Sequence, residues 1–520
     1  MSAARVVIVG AGFAGFTAAR RLQRYAPDAE IVLINPTDYF LYLPLLPEVA
    51  AGILEPRRIC VSLSARLPNV KLALGTVTNV DVVGHRVEWV DPEERRHATD
   101  FDRLVLTAGS VNKLLPIPGV AEYAHGFRGI SEALYLRDHI TRQLELAAAT
   151  DDREERDARC TFVVVGAGYT GTEVAAQGQL FTARLVRQLR ALRKQPIRWV
   201  IADLADQLLP GLSPRMSRTA ERVLHRRGLE IRLRESIECA GPDSLRMTSG
   251  EEISTRSLIW CVGVRPDPLV GALSLPTDRG RVQVHDTLLV RGQAHVFACG
   301  DCAAVPDVTR PGTITGMTAQ HAQRQGKLVA RNVAASLAHQ DLESYRHRDL
   351  GFVVDLGGGK AAANPLHIPL AGLTAKTITR GYHLLSLPGN RTRTATDWTL
   401  NAVVPARGVQ LGLVDAGRVP LECTSAADGS PTSERAPSMP MPMPRRDSQP
   451  LRALKAEVEA ELAMAEASHP EEELQRPQRE WRFDPIDVEH EEAGLRNLLG
   501  AVEALQHDDG RGPQSQTIAP

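Results

Sequence analysis

The chain has 520 residues, 43% of them hydrophobic and 24% charged, and its Lys+Arg (61) and Asp+Glu (62) nearly cancel. That length exceeds one ordinary core and predicts two or three folded domains, while the balanced charge argues against nucleic acid as the main ligand. Seven scattered cysteines supply no disulfide framework and suit a reducing cytosol, and no run approaches the ~18 consecutive apolar residues of a membrane span, so any membrane is met at its surface. Arg5 and the apolar run after it imitate a signal peptide, but the run is only a strand long and a glycine pattern interrupts it.

In chain order, the β-branched run 6–9 predicts a strand, residues 16–25 carry helical spacing and 31–34 predict a second strand, giving β-α-β. Residues 70–90 alternate as strands, and 104–107 form an apolar strand ending in Ala108-Gly109. The first pattern then returns as a strand at 161–165, glycines at 166–171, a helix over 172–180 and a strand at 197–202. This is the nearest thing to an internal repeat. Further buried strands are predicted at 258–262 and 295–298, a helical stretch within 312–338, and a strand at 352–356 with a turn at Gly357-Gly358-Gly359. A mostly apolar helix follows over 370–387, carrying Lys376, Arg380 and His383. Composition changes after about residue 419. Residues 425–450 are rich in Pro, Ser and Met and read as a disordered linker; 451–467 has helical spacing, and the rest to 520 is polar and Pro-broken.

Gly10-x-Gly12-x-x-Gly15 follows a strand and opens a helix. In that context the first glycine permits the tight turn, the second lets the backbone approach a pyrophosphate, and the third lets helix and strand pack closely. The second strand ends at Asn35 where a carboxylate usually takes the ribose hydroxyls; its amide oxygen is a weaker substitute, with Asp38 nearby. Gly166-x-Gly168-x-x-Gly171 repeats the loop, and its second strand ends at Asp203, which accepts from a free ribose diol and repels a 2′-phosphate. NADH is therefore expected over NADPH. Two loops imply two dinucleotides, and a flavin beside a nicotinamide is the chemically sensible pair.

His295-Val296-Phe297-Ala298-Cys299-Gly300-Asp301 resembles the second flavin motif of the two-dinucleotide-domain flavoproteins, the pyridine nucleotide-disulfide oxidoreductase superfamily. Leu104-Val105-Leu106-Thr107-Ala108-Gly109 is similar to that superfamily's crossover strand. Finer features resemble type II NADH dehydrogenases: Asp38-Tyr39-Phe40-Leu41-Tyr42-Leu43-Pro44-Leu45-Leu46, Glu173 two residues beyond Gly171, and Thr318-Ala319-Gln320-His321-Ala322. The last matches half of a quinone-site motif whose final glutamine is Arg324 here, between Gln323 and Gln325. The resemblance implies an α/β fold of two Rossmann-like domains, the NAD domain inserted in the FAD domain, plus a C-terminal α+β membrane-association region and a disordered tail. The expected limits are 1–115 and 283–345 for FAD, 116–282 for NAD(H), 346–420 for the membrane and quinone region, and 421–520 for linker and tail.

It further implies FAD held by Gly10, Gly12, Phe13, Ala14, Gly15, Asn35, Pro44, Val77, Ala108, Gly109, Gly300, Asp301 and Ala319. NADH falls to Gly166, Gly168, Tyr169, Thr170, Gly171, Glu173, Asp203 and Gly263. Glu173 and Gln320 are the catalytic candidates, and no metal is expected. The implied activity is hydride transfer from NADH to FAD and two electrons to a membrane quinone, without proton pumping, on the cytoplasmic side of the membrane. A homodimer is left open. The competing functions are a soluble NAD(P)H-dependent reductase of a ferredoxin- or rubredoxin-type carrier and a non-catalytic redox sensor; a sulfide:quinone reductase lacks its cysteine pair.

Plainer readings stand beside these. Cys299-x-x-Cys302 wraps the Gly300-Asp301 motif and reads as small structural residues; Cys160 and Cys261 read as core. Glu173 has a plainer use as a helix-start carboxylate. Lys376, Arg380 and His383 suit either a snorkelling core helix or, with Leu370, Leu373, Ile378, Leu384, Leu385, Leu387, Trp398, Leu400, Arg391, Arg393 and Arg407, a face laid on anionic lipid.

Overall fold

The computed structural model describes residues 3–347, 351–364, 370–404, 408–415 and 421, with six isolated helical positions beyond them (Lys455, Glu459, Leu462, Ala463, Arg496 and Leu499). The linker and tail expected over 421–520 otherwise lie outside the described residues.

Strand β1 (Arg5–Val9), helix α1 (Phe13–Tyr25) and strand β2 (Glu30–Asn35) open the chain, followed by a short helix α2 (Leu46–Ala50) and β3 (Val70–Leu74). An antiparallel meander of Thr76–Asp81, Arg86–Val90 and Arg96–Asp100 leads into β4 (Arg103–Leu106). Next come β5 (Ala124–Gly126), α3 (Ile130–Ala149), β6 (Thr161–Val165), α4 (Tyr169–Gln188), β7 (Arg198–Asp203), β8 (Leu229–Leu233) and β9 (Leu258–Trp260). Strand β10 (Val296–Ala298) and helix α5 (Ala319–Leu337) follow. The chain then forms β11 (Val353–Asp355), β12 (Ala361–Ala363), Leu370–Ala371, α6 (Gly372–Ser386) and α7 (Arg391–Val403).

Two five-stranded parallel sheets result, in the orders β10-β4-β1-β2-β3 and β5-β9-β6-β7-β8. Their central strands match in register, with Val7 opposite both Val32 and Leu104, and Val164 opposite both Ile201 and Ile259. Residues 6–9 and 161–165 are buried on both faces, which is why they read as continuous apolar runs instead of alternating ones. The second sheet is an insertion in the first: β10 comes after the whole β5–β9 segment yet pairs with β4, Phe297 opposite Val105.

Helix α1 packs directly on α5, closely enough that a Cβ on Gly326 would meet the Ala14 carbonyl oxygen at 2.4 Å. Helix α2 leaves the first sheet's layer and lies on α3 and α4 of the second. That contact brings the two halves together. The C-terminal unit is a small antiparallel sheet, β11-β12 with Leu370–Ala371, under α6. The side chains of Ala361, Ala362 and Ala363 are small enough to admit that helix and are fully covered by it. Arg58 pairs with Asp397 of α7 at 2.8 Å, tying this unit back to the first domain.

Several expected bounds shift. The first glycine-loop helix starts at Phe13 and the second runs from Tyr169 to Gln188, because the loop's last turn is already helical. The expected helix over 370–387 begins as an edge strand at Leu370–Ala371. A larger correction concerns its side chains. Lys376, His383, Leu387 and Trp398 were candidates for a lipid-facing surface, and all four are buried; their stripe faces the protein because it closes over the α2–α4 contact.

Candidate active site

The two glycine loops have the same geometry. Gly10 (φ +92°) and Gly166 (φ +109°) turn the chain, and a Cβ on either would strike the end of the neighbouring strand, the Thr107 oxygen at 2.5 Å or the Cys261 oxygen at 2.2 Å. A Cβ on Gly15 or Gly171 would lie 1.9 Å from the carbonyl oxygen of Gly10 or Gly166, so only glycine lets each helix start against its strand. Around Gly12 and Gly168, by contrast, nothing stands within 4 Å of the missing Cβ. Open space beside a helix start, where the first N–H groups lack helical partners, fits a dinucleotide pyrophosphate in each half.

The strand-end side chains are also equivalent. The Ala11 N–H donates to Asn35 Oδ1 at 2.8 Å and the Ala167 N–H to Asp203 Oδ2 at 2.6 Å. Asn35 further donates its amide nitrogen to the carbonyl and hydroxyl of Thr37, so its NH₂ is committed to the loop itself; Asp38 is exposed. Asp203 accepts from Ala205 N–H through its other oxygen and stays partly accessible. Gly109 and Gly263, each three residues past the equivalent crossover strand end, have φ +78° and +92° and open space on the Cβ side. Phe13 packs its ring on Phe40 and Tyr42, at 5.1 and 5.8 Å between centroids. Ala14 lies against Gly300, whose added Cβ would be 3.1 Å away.

Gly300 (φ +77°) is held by Gln325, which takes the Gly300 N–H at 2.8 Å and donates to Thr315 Oγ1 at 3.0 Å. Asp301 accepts from Ser110 Oγ at 2.5 Å, and Arg128 donates to the same hydroxyl at 2.6 Å. Ala108 is half-buried beside this loop, and Val77 is half-buried in the meander opposite Trp89. Cys299 and Cys302 are fully buried free thiols. Burial raises both pKa values, that of Cys302 to about 11, which keeps them protonated and out of thiolate chemistry. Cys261 is partly buried and packs against the core; its carbonyl abuts Gly166.

Between the halves lies a charged cluster that sequence reasoning located only at Glu173. It comprises Glu48 of α2, Glu173 of α4, Asp355 at the end of β11 and Lys376 of α6. Glu48, Glu173 and Asp355 line one cavity with Pro44, Gln177, Arg380, His383 and Trp398. Lys376 donates to Asp355 and lies 3.6 Å from Glu48. Trp398 Nε1 donates to Glu48, Gln177 Nε2 to Asp355 at 3.0 Å, and the Asp355 N–H to Glu173 Oε1 at 2.9 Å. Burial pushes Glu173 up to about 8, the Asp355 N–H opposing the rise and the Asp355 charge adding to it. Burial also lifts Glu48 to about 7, against the pull of Lys376. Asp355 feels the same burial, but the adjacent ammonium overrides it and holds the carboxyl low. His383 is driven down to about 4 by burial and meets the Tyr42 hydroxyl at 3.1 Å. An ionised aspartate, an ammonium and two carboxyls titrating near neutrality can hold and release a proton in a closed space.

Gln320 is not in that cavity's lining. It begins α5 beside Ala319 and donates to the Gly351 carbonyl at 3.1 Å. Arg324, at the motif's final glutamine, meets His347 at 3.1 Å, while the glutamine one place later, Gln325, supports the Gly300 loop. Tyr169 and Thr170 are exposed at the start of α4, and the Tyr169 ring meets Phe352 edge-on at 6.3 Å. Outside the cluster, α6, α7 and the segment after them expose Leu373, Leu385, Leu400, Val403, Val404, Val409, Leu411 and Leu413. Among the described residues no helix is long and apolar enough to cross a membrane, and no group of residues could hold a metal ion.

Comparison with known proteins agrees with this geometry. The pyridine nucleotide-disulphide oxidoreductase family model matches residues 4–326. The type II NADH:quinone oxidoreductase Ndh of Mycobacterium tuberculosis is 32% identical over 431 residues, 79% of this chain and 90% of that protein. A type II NADH:quinone oxidoreductase of Staphylococcus aureus is 27% identical over 380 residues, 71% of this chain and 92% of its own. Among solved structures, NDH2 from Plasmodium falciparum in complex with NADH superposes with a TM-score of 0.73 at 18% identity, covering 78% of this chain and all but 1% of the other. A ferredoxin reductase from Rhodopseudomonas palustris reaches 0.56 at 19% identity, covering 73% and 93%. At such identities these two structures speak for the fold.

Proposed function

Because the chain belongs to the pyridine nucleotide-disulphide oxidoreductase family, and within it to the type II NADH:quinone oxidoreductases, we infer that it oxidises NADH through FAD and reduces a quinone. The observation that carries this reading is the pair of equivalent cradles whose two halves meet at the Glu48–Glu173–Asp355–Lys376 cluster.

The first half would hold FAD, with Gly12 leaving room for a pyrophosphate and Gly300 and Asp301 available to the ribityl chain. Gly10, Phe13, Ala14, Gly15, Asn35, Pro44, Val77, Ala108, Gly109 and Ala319 complete that site. NADH occupies the second half over Gly168, with Gly166, Tyr169, Thr170, Gly171, Asp203 and Gly263 around it. When bound, FAD supplies the two-electron relay between donor and quinone. The chain's own residues orient the rings, exclude water and handle the proton that quinone reduction consumes. Glu173, in the second turn of the NAD-side helix and neutral at pH 7, carries that proton; Asp355 fixes the Lys376 ammonium beside it. Gln320 contacts the quinone side. The segments 1–115 and 283–345 make up the FAD domain, and 116–282 the NAD domain. The exposed apolar side chains of residues 373–413 rest on the membrane from which the quinone is drawn. Since NADH is held inside the cell, that contact is on the cytoplasmic face. This apolar surface favours quinone over a soluble electron carrier as acceptor.

Donor preference and acceptor are tested together. The purified, FAD-loaded chain turns over NADH with a membrane quinone faster than NADPH by kcat/KM, and Asp203→Arg narrows the ratio by roughly tenfold or more as the repulsive carboxylate is removed. Preference for NADPH by the unaltered chain, or turnover confined to ferredoxin-type carriers, refutes the reading.

A further inference from the structure

A second cavity, of about 290 Å³, lies in the NAD-binding half between α3, β5, the start of β9 and the turn at residues 240–244. It is near the lower size limit for a small-molecule site. The glycine cradle is at the carboxyl ends of β6 and β9; this cavity is at the amino end of β9, where Ser257 and Thr255 line it. The five residues of β6 separate the two by about 15 Å. Dinucleotide does not reach it, and the mechanism above does not use it.

One wall is aromatic. His125, Tyr135 and His139 cluster with ring centroids 4.7 to 5.8 Å apart. Burial drives His125 down to about 4 and His139 well below its ordinary value, so both rings are neutral. The other feature is a guanidinium without a carboxylate partner. Arg142 Nη2 meets His139 Nδ1 at 3.5 Å and its guanidinium covers the Tyr135 ring at 5.9 Å; among the described residues no carboxylate pairs with it. His139 Nε2 lies 2.9 Å from Ser257 Oγ, and the Arg256 carbonyl is a further hydrogen-bond partner of the ring. Ser257 is 1% exposed and lines the cavity. The one carboxylate in the lining, Glu122, is exposed.

We propose that this cavity binds a small planar aromatic carboxylate, its ring against His125, Tyr135 and His139 and its carboxylate accepting from Arg142 and Ser257. A neutral aromatic would leave the guanidinium without a counter-charge, and a non-aromatic acid would forgo the ring wall. Occupancy bears on catalysis through Ser257, which takes the Val163 N–H of β6 on its carbonyl and leads into β9, the strand that closes on Gly166.

Benzoate, benzamide and cyclohexanecarboxylate serve as probes in titration calorimetry and ligand-observed NMR on the full FAD-loaded chain. Benzoate is expected to bind saturably, one per chain, and to remain bound at saturating NADH; benzamide and cyclohexanecarboxylate bind at least severalfold more weakly. Arg142→Gln weakens benzoate by about tenfold or more, the scale of one charge-assisted hydrogen bond. Arg142→Lys recovers part of that loss and Ser257→Ala loses severalfold, with flavin absorbance unchanged in all three. Absence of saturable benzoate binding overturns the proposal. So does binding indifferent to Arg142→Gln, equal binding of the three probes, or one-for-one displacement by NADH.

Discussion

Glu173 shows how much one side chain depends on its neighbours. Two residues past Gly171 it reads as a helix-start carboxylate, ordinarily ionised at neutral pH. Packing of α2, β11 and α6 around it raises its pKa to about 8. The sign of the linkage follows. Below pH 4.5 folded and unfolded chains both hold the proton; between 4.5 and about 8 only the folded chain does, so this group's contribution to stability falls as pH rises through that window and levels off above it. Glu173→Gln is expected to flatten the stability profile across that window in urea titrations. It also removes the limb near pH 8 from quinone-reduction rates, and an unchanged limb would shift the proton's assignment to Glu48, which titrates near 7.

The glycine loops are the elements where sequence and structure agree most fully, because their constraints are local. They also separate folding from binding within a single turn. A Cβ on Gly171 would overlap the Gly166 carbonyl, whereas one on Gly168 meets nothing within 4 Å. Gly171→Ala should therefore lower the thermal midpoint by several degrees, the effect of roughly 1–3 kcal/mol of overpacking. Gly168→Ala should leave the midpoint in place and raise KM for NADH by about tenfold, as a methyl group stands where the pyrophosphate approaches. Equal thermal shifts in the two variants would count against the cradle geometry. Helices α6 and α7 are the contrasting case. Their composition suits a lipid face, but a polar stripe within an apolar helix does not say which neighbour it meets. The structure turns Lys376, His383 and Trp398 inward and leaves Leu373 and Val403 outside, at 73% and 76% exposure.

For the molecule as a whole, the membrane contact is best tested without removing a domain. A chain cut before Leu370 also loses Lys376, His383 and Trp398 from the cluster, so its failure would confound membrane loss with a broken site. Leu385→Asp, Leu400→Asp and Val403→Asp together touch only exposed positions. The unaltered chain should float with anionic liposomes and the triple variant should not, while NADH oxidation with a water-soluble acceptor persists. Flotation of both would move the lipid contact elsewhere on the surface.

The sequence by itself determined two parallel-sheet units, the order in which they are threaded, both phosphate loops and the Gly300-Asp301 turn. The β-α-β units and the phosphate loops rest on spacing within some thirty residues, where strand period, helix start and glycine stereochemistry are properties of the local chain; the threading order and the Gly300-Asp301 turn rest on the family resemblance. Only the tertiary structure decided that Glu48, Glu173, Asp355 and Lys376 are one site. These residues come from four elements spread over more than three hundred positions, and no local period links them. It likewise assigned Gln325 to the Gly300 loop and Gln320 to the Gly351 carbonyl, a division that adjacent glutamines in a motif cannot express. Local backbone geometry is written in neighbouring residues. The pKa of a buried carboxyl is set by desolvation and by charges that arrive only when distant elements pack.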